Sequence, residues 1–257
     1  TLLAGAEEPD AIALRVRALA MRASVYDDPA VRHARIEEAT ALAEEIDDPD
    51  AQSYVLRRRC NVLAFGGDYD GALAAVTRAR ELAGPTTPSG LRAATNVTDM
   101  HLIRGSFDRA IAIAEEAIDT AVAAGLERSA GAFLLVNLSE ALIAVGEANR
   151  GVEHARRAAA LTRGQAPRWL ACAVSLEATA RLWDGDLDAY RQLRAEIEPV
   201  RANMGDSVED RNWWHALSID AALIASARAR PVDRRRALGA ALADAQMLHE
   251  PGLEHEF

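Results

Sequence analysis

A turn built on glycine returns along this chain at an interval of about forty residues. Gly66-Gly67-Asp68-Tyr69-Asp70, Gly105-Ser106-Phe107-Asp108, Gly146-Glu147-Ala148-Asn149 and Asp184-Gly185-Asp186-Leu187 are successive copies of it. Their glycines Gly67, Gly105, Gly146 and Gly185 are spaced 38, 41 and 39 apart. One period back lies Tyr26-Asp27-Asp28-Pro29, and one period forward lies Arg230-Pro231-Val232-Asp233. A period of this length is the mark of helical hairpins that stack because no single one can bury its apolar face alone. The glycine ends a first helix in a left-handed conformation, and the polar residue after it caps a second. Asp28-Pro29, Asp48-Pro49 and Thr87-Pro88 read as helix starts, a capping oxygen followed by proline in the first turn. The apolar spacing of Ala110, Ile113, Ala114, Ala117, Ile118 and Ala121 is that of a helix face.

Composition agrees with helix throughout. Alanine fills 56 positions and aromatics only 5% of the chain, too few for the usual stock of a sandwich or barrel. The expectation is an all-α solenoid of about six helical hairpins. They fall near 9–46, 49–83, 88–124, 126–163, 166–203 and 206–249, about twelve helices within one domain over 1–257. Neither Gly84-Pro85-Thr86-Thr87-Pro88 nor Gly164 to Pro167 is long enough for a domain linker.

Charge and chemistry narrow the function. Net charge is −10, and all 29 basic residues are arginine. An acidic chain is a poor autonomous binder of nucleic acid, and without lysine neither a phosphate-binding G-x-x-x-x-G-K loop nor Schiff-base chemistry is available. Specific duplex binding and ATP hydrolysis by this chain are therefore not expected. Cys60 and Cys172 stand 112 residues apart in apolar helical patterns, which suits a reducing cytoplasm. Glu7, Glu8 and Asp10 occupy the place where a secretory leader would be basic, and the longest apolar run, 130–145, is too short to span a bilayer. His33, His101, His154, His215, His249 and His255 are dispersed, no G-x-S-x-G elbow occurs, and the paired glutamates read as solvated helix faces. No catalytic residue, metal or cofactor is expected.

Three clusters invite a partner. Arg57-Arg58-Arg59 lies mid-helix, where successive side chains point about 100° apart and would not form one patch. It and Arg234-Arg235-Arg236 read as surface charge, with contact to an acidic partner as the alternative. Trp213-Trp214-His215 reads as packing between hairpins or as a partner anchor. Aligning the repeats on their turn glycines gives more. Thirteen residues before the glycine stand Tyr54, Arg92, Phe133 and Cys172; nine before stand Arg58, Asn96, Asn137 and Leu176; six before stand Asn61, Asp99, Glu140 and Thr179. These offsets are four and three apart and share a helix face. The candidate groove is thus Tyr54, Arg58, Asn61, Arg92, Asn96, Asp99, Phe133, Asn137 and Glu140, with asparagines that tie adjacent repeats together as the plainer reading.

Gly125-Leu126-Glu127-Arg128-Ser129-Ala130-Gly131-Ala132-Phe133, followed by Asn137-Leu138-Ser139-Glu140-Ala141-Leu142, resembles a stretch of the large ATP-binding LuxR-type transcriptional regulators of actinobacteria. Arg168-Trp169-Leu170-Ala171 and Leu182-Trp183-Asp184-Gly185-Asp186-Leu187-Asp188 are similar to the next repeat of their TPR-like tail. The resemblance covers 88–249 well and 1–87 more loosely. It implies a right-handed superhelix whose first helices line a concave surface, and places the polar ladder there. Such regulators carry an ATPase domain before this tail and a helix-turn-helix after it. Neither pattern is present here, and Met247 to Phe257 shows no helix-turn-helix. The function expected is a non-enzymatic, cytoplasmic sensor or interaction segment of a regulator, binding a protein, a peptide or a small effector, with no membrane partner. A purely structural or self-associating scaffold, including a homo-oligomer, is the alternative.

Overall fold

The repeat turns do what their residue types dictate, and the caps do so in part. The computed structural model describes residues 9–23, 28–46, 48–201 and 239. Ten α-helices run through the described residues: α1 (Pro9–Ala23), α2 (Pro29–Glu44), α3 (Pro49–Phe65), α4 (Tyr69–Ala83), α5 (Pro88–Ile103), α6 (Phe107–Ala123), α7 (Ala132–Ala144), α8 (Ala148–Thr162), α9 (Pro167–Trp183) and α10 (Leu187–Arg201). A single π-helical turn, Glu127–Gly131, leads into α7. No strand occurs among the described residues. Five of the six expected hairpins are present at the expected places. The sixth, near 206–249, lies outside the described residues, as do Trp213-Trp214-His215 and Arg234-Arg235-Arg236.

Each repeat turn closes in the same way. Gly67, Gly105, Gly146 and Gly185 all adopt positive φ, between 67° and 89°. The residue after each glycine donates its backbone N–H to the carbonyl five positions back. Asp68 N reaches Leu63 O at 2.9 Å, while Ser106, Glu147 and Asp186 reach His101, Leu142 and Arg181 at 2.8 Å. This is the Schellman closure, and it satisfies carbonyls that the helix end would otherwise leave open. Second-helix caps are less uniform than the pattern suggests. Asp68 accepts from Gly71 N at 2.9 Å and Asp186 from Ala189 N at 3.1 Å, whereas Ser106 and Glu147 make no side-chain cap bond. The three starts ahead of proline do cap: Asp28 accepts from Ala30 N, Asp48 from Asp50 N and Ala51 N, and Thr87 from Gly90 N.

The contacts gather into two compact units, Thr1–Ala141 and Leu142–Phe257. In the first, the helices from α1 to α6 each pack on the next in the chain, α6 meets the π-helical turn, and the first helices also pack on one another, α1 on α3 and α3 on α5. Its core is thin and rich in small residues. Val16, Ala20, Ile36, Ala39 and Val55 fill one layer, and Ala72, Val76, Ala79, Ala93, Val97 and Met100 fill the next. Alanine at these contacts lets helix axes approach closely, so the layers are narrow and numerous rather than thick. In the second unit α9 lies between α8 and α10, around Ile143, Val152 and Ala180. Ion pairs between neighbouring hairpins lace the surface of each unit: Arg80 to Glu116 at 3.0 Å in the first, Arg163 to Glu196 at 2.6 Å in the second. Exposed pairs of this kind contribute only about 0–1 kcal/mol each, so burial and capping carry the stability.

Candidate functional site

All nine candidate groove residues fall in the first unit, on α3, α5 and α7. Tyr54, Arg58 and Asn61 are half-buried on α3; Arg92 and Asp99 are exposed and Asn96 half-buried on α5; Glu140 is exposed and Phe133 half-buried on α7. Asn137, on α7, is 4% exposed. The helical period explains the shared placement, since offsets of three and four residues return to one side of a helix.

Asparagine hydrogen bonds draw three of the nine into ties between helices. Asn96 Nδ2 donates to Asn61 Oδ1 at 3.0 Å, and Asn137 Nδ2 donates to the backbone carbonyl of Thr95 at 3.0 Å. Thr95 O already belongs to the backbone of α5, so Asn137 uses the carbonyl's second lone pair to fasten α7 to α5. Around the first tie sits Cys60, fully buried. Burial, and then the negative charge of Asp99, push its thiol up to about 12, against an opposing hydrogen bond with Asn96. A thiol held protonated and out of solvent is no nucleophile.

At the α1 end of this face the arginines gather. Arg57 and Arg58 both bring their guanidinium carbons to 5.5 Å from the centre of the Tyr54 ring. Residues 57–59 form no single patch, as the helical period predicts, but two of the three meet at the tyrosine ring. Side chains three and four residues beyond a tyrosine lean back toward it, and both long arginines reach it. Arg59 alone turns away, pairing with Glu37 of α2 at 2.9 Å. Arg57 is the functional candidate that the repeat alignment missed, because it sits between the chosen offsets. Its spacing of three from Tyr54 was the available signal. Burial, and then the charges of Arg58 and Arg92, depress Arg57 to about 10, and its Nε is buried without a hydrogen-bond partner. The nearby carboxylate, Asp50, is engaged by Arg17 at 2.6 Å and by the hydroxyl of Ser89.

The second unit offers a different polar centre. Glu177, nearly buried, accepts two bonds from Arg156 at 2.9 and 2.6 Å, with Arg181 at 3.8 Å. Cys172 donates its thiol to the carbonyl of Arg168 within α9. Both contacts lie within the second unit, and the Arg156 side chain is half exposed. Among the described residues, no group of three or more His, Cys, Asp or Glu is placed to hold a metal ion, and no helix is long and apolar enough to cross a membrane.

No protein-family model matches the chain, and no curated protein matches it by sequence. Solved structures do match by shape. BtubC (BKLC) from P. vanneervenii superposes with a TM-score of 0.63 at 18% identity, over 76% of this chain and 83% of its own. A Rap protein complexed with Competence and Sporulation Factor gives 0.68 at 12% identity, over 85% of this chain; this chain spans 60% of that protein's length. A putative kinesin light chain with nearly identical TPR-like repeats, from Podosopora anserina, gives 0.58 at 14% identity, over 77% of this chain and 97% of its own. At such identities the likeness shows the fold, and the fold is a TPR-like helical repeat.

Proposed function

We propose that this chain is a non-enzymatic interaction module that takes a peptide or a protein segment along the shared face of α3, α5 and α7. The observation that carries this reading is the repeat alignment itself. Residues at equivalent positions of three consecutive first helices are aromatic, cationic, amide and acidic, and eight of the nine keep some access to solvent. A face of that chemistry offers donors and acceptors at a repeat's spacing, which suits an extended chain with amide and charged groups. The structural neighbour that holds the Competence and Sporulation Factor supports the idea that this fold accommodates a ligand.

The module serves as the regulatory segment of a larger transcriptional regulator of the LuxR type, in the cytoplasm of an actinobacterium. What supports this is the residue-level resemblance over 125–142 and 168–188. The complete reading frame tests it, since flanking ATPase and helix-turn-helix segments are required.

The binding role is tested by selecting twelve-residue peptides from a displayed library on the full chain and titrating them against Asp99→Ala and Glu140→Ala. Both side chains are exposed, so the substitutions leave the core intact. Loss of about tenfold in affinity is expected, the order of one charge-assisted bond. Peptides that bind both variants as tightly as the wild type, or no selected peptide at all, overturn the reading. The Asn61–Asn96 and Asn137–Thr95 ties then favour a purely structural scaffold.

A further inference from the structure

Tryptophan is scarce in this chain, and one of its four copies stands open to solvent. Trp183 is the last residue of α9 and is 64% exposed. The helix end fixes it there: Asp184 N–H returns to Ala180 O and Leu182 O, Gly185 holds φ at 82°, and Asp186 N–H reaches Arg181 O at 2.8 Å. Ile143, Val152 and Ala180 share one core cluster, which brings the α7–α8 turn and the end of α9 to one corner of the second unit. Val145, 40% exposed, belongs to that turn. The corner is acidic, since Glu147, Asp184, Asp186 and Asp188 are all exposed. Three of these are engaged: Glu147 pairs with Arg150, Asp188 pairs with Arg191 at 2.9 Å, and Asp186 accepts from Ala189 N at 3.1 Å. The Asp184 carboxylate has no ion pair or hydrogen bond among the described residues. Arg181 turns instead to Glu177 at 3.8 Å.

The first unit shows what an aromatic ring does at the same repeat position. Phe65 ends α3 as Trp183 ends α9. Arg32, the fourth residue of α2 and itself buried, holds its guanidinium carbon 5.4 Å from the centre of the Phe65 ring. The fourth residue of α8 is Gly151, which has no side chain to offer. Among the described residues no guanidinium lies over Trp183. An indole is the better acceptor of a cation than a phenyl ring. The second unit thus keeps the ring and lacks the cation.

We infer that Trp183 and Asp184, with Val145 beside them, form a docking point for an arginine side chain of a separate, basic protein partner. This goes beyond peptide binding on α3, α5 and α7 and does not rest on it. The guanidinium stacks flat on the indole, Asp184 accepts from its N–H edge, and Val145 meets its neighbouring apolar residue. A planar, weakly hydrated guanidinium suits this arrangement better than an ammonium does. Charge selects the class of partner: an acidic corner attracts a basic surface, whereas a second copy carries the same net charge of −10 and is repelled.

The test uses the full ¹⁵N-labelled chain, following by NMR the Trp183 indole N–H, assigned from its disappearance in Trp183→Phe, and the Gly185 amide. The probe is acetyl-Ala-Leu-Arg-Ala-amide, compared with its citrulline and lysine counterparts. Both resonances should shift saturably with the arginine peptide and not with the citrulline one. Trp169, whose ring already lies 5.6 Å from Arg168 of its own chain, should stay put. Asp184→Asn should weaken binding roughly threefold, the order of one exposed ion pair. Trp183→Leu, which keeps an apolar side chain but removes the π face, should lose the response at Gly185, and Trp183→Phe should keep part of it. Both sites are exposed, and far-ultraviolet circular dichroism checks that the variants fold. No saturable shift, equal binding of the citrulline peptide, or wild-type binding by Trp183→Leu overturns the docking point. A lysine peptide that binds as tightly overturns its assignment to a guanidinium. A Trp183 signal that broadens with chain concentration and sharpens on dilution gives the corner to a second copy and overturns the separate partner.

Discussion

Replacing Gly90 with alanine sets two elementary effects against each other. Gly90 is the third residue of α5, and its N–H is bonded by the hydroxyl of Thr87 at 3.0 Å. A Cβ built there would lie 1.8 Å from the carbonyl oxygen of Gly84, 2.8 Å from that carbonyl's carbon and 3.3 Å from Thr87 Oγ1. The first distance is about half an ordinary contact. The obstacle is backbone, and it is anchored: Gly84 O accepts from the Thr87 hydroxyl at 3.1 Å and from Thr87 N at 3.4 Å, while Gly84 itself holds φ at 79°. Making room must therefore displace either the loop or the first turn of α5. Overpacking of this kind costs about 1–3 kcal/mol, and a clash with fixed backbone belongs at the upper end. Alanine's helix propensity returns at most ~1 kcal/mol. The net expectation is a loss of about 2 kcal/mol, read as a lower urea midpoint in far-ultraviolet circular dichroism. Each kcal/mol should lower Tm by roughly 2–4 °C. Propensity alone predicts the opposite sign, so a Gly90→Ala chain as stable as the wild type, or more so, refutes the close-approach argument.

Three further outcomes follow from the same structure. Asp48→Ala removes the oxygen that accepts from Asp50 N at 3.0 Å and Ala51 N at 3.1 Å, and should cost about 1 kcal/mol in the same denaturation assay; an unchanged midpoint would show that water replaces the cap without loss. His101 is buried with Nδ1 unbonded, and burial, then Arg109 and Arg104, hold its pKa below 6.5. Its folded pKa is depressed, so the stability linked to it is complete above pH 6.5 and lost as pH falls through the folded value. The wild type should therefore lose more stability between pH 7 and pH 5 than His101→Gln, and parallel curves would contradict this. Cys60, fully buried with its thiol raised to about 12, should resist iodoacetamide at pH 8 until urea unfolds α3, as peptide mass mapping will show; labelling at the rate of a free thiol in the folded state would refute its enclosure.

What the amino-acid order determined by itself is the hairpin plan. A Schellman turn, an aspartate cap and a proline in the first turn act over five or six residues, so their signals survive without knowledge of the fold. That is why Gly67, Gly105, Gly146 and Gly185 mark true helix ends, and why Asp28, Asp48 and Thr87 mark true beginnings. The helix period likewise placed Tyr54, Arg58 and Asn61 on one side of α3. Spacing could not say which members of the polar ladder spend their hydrogen-bonding capacity on each other. Asn137 and Thr95 are 42 residues apart, and Asn61 and Asn96 are 35 apart. Those bonds exist only because the packing of alanine-rich layers brings the helices close enough. Arg57 shows the same division. Its spacing from Tyr54 was visible, but its burial, its unpaired Nε and the approach of Arg92 depend on how α5 lies beside α3. Gly90 looked like an ordinary residue in an opening turn until the carbonyl of Gly84 came within reach. Local rules act through bonds between near neighbours in the chain, whereas desolvation and steric exclusion act through whatever atoms are close in space, and only the tertiary structure decides which those are.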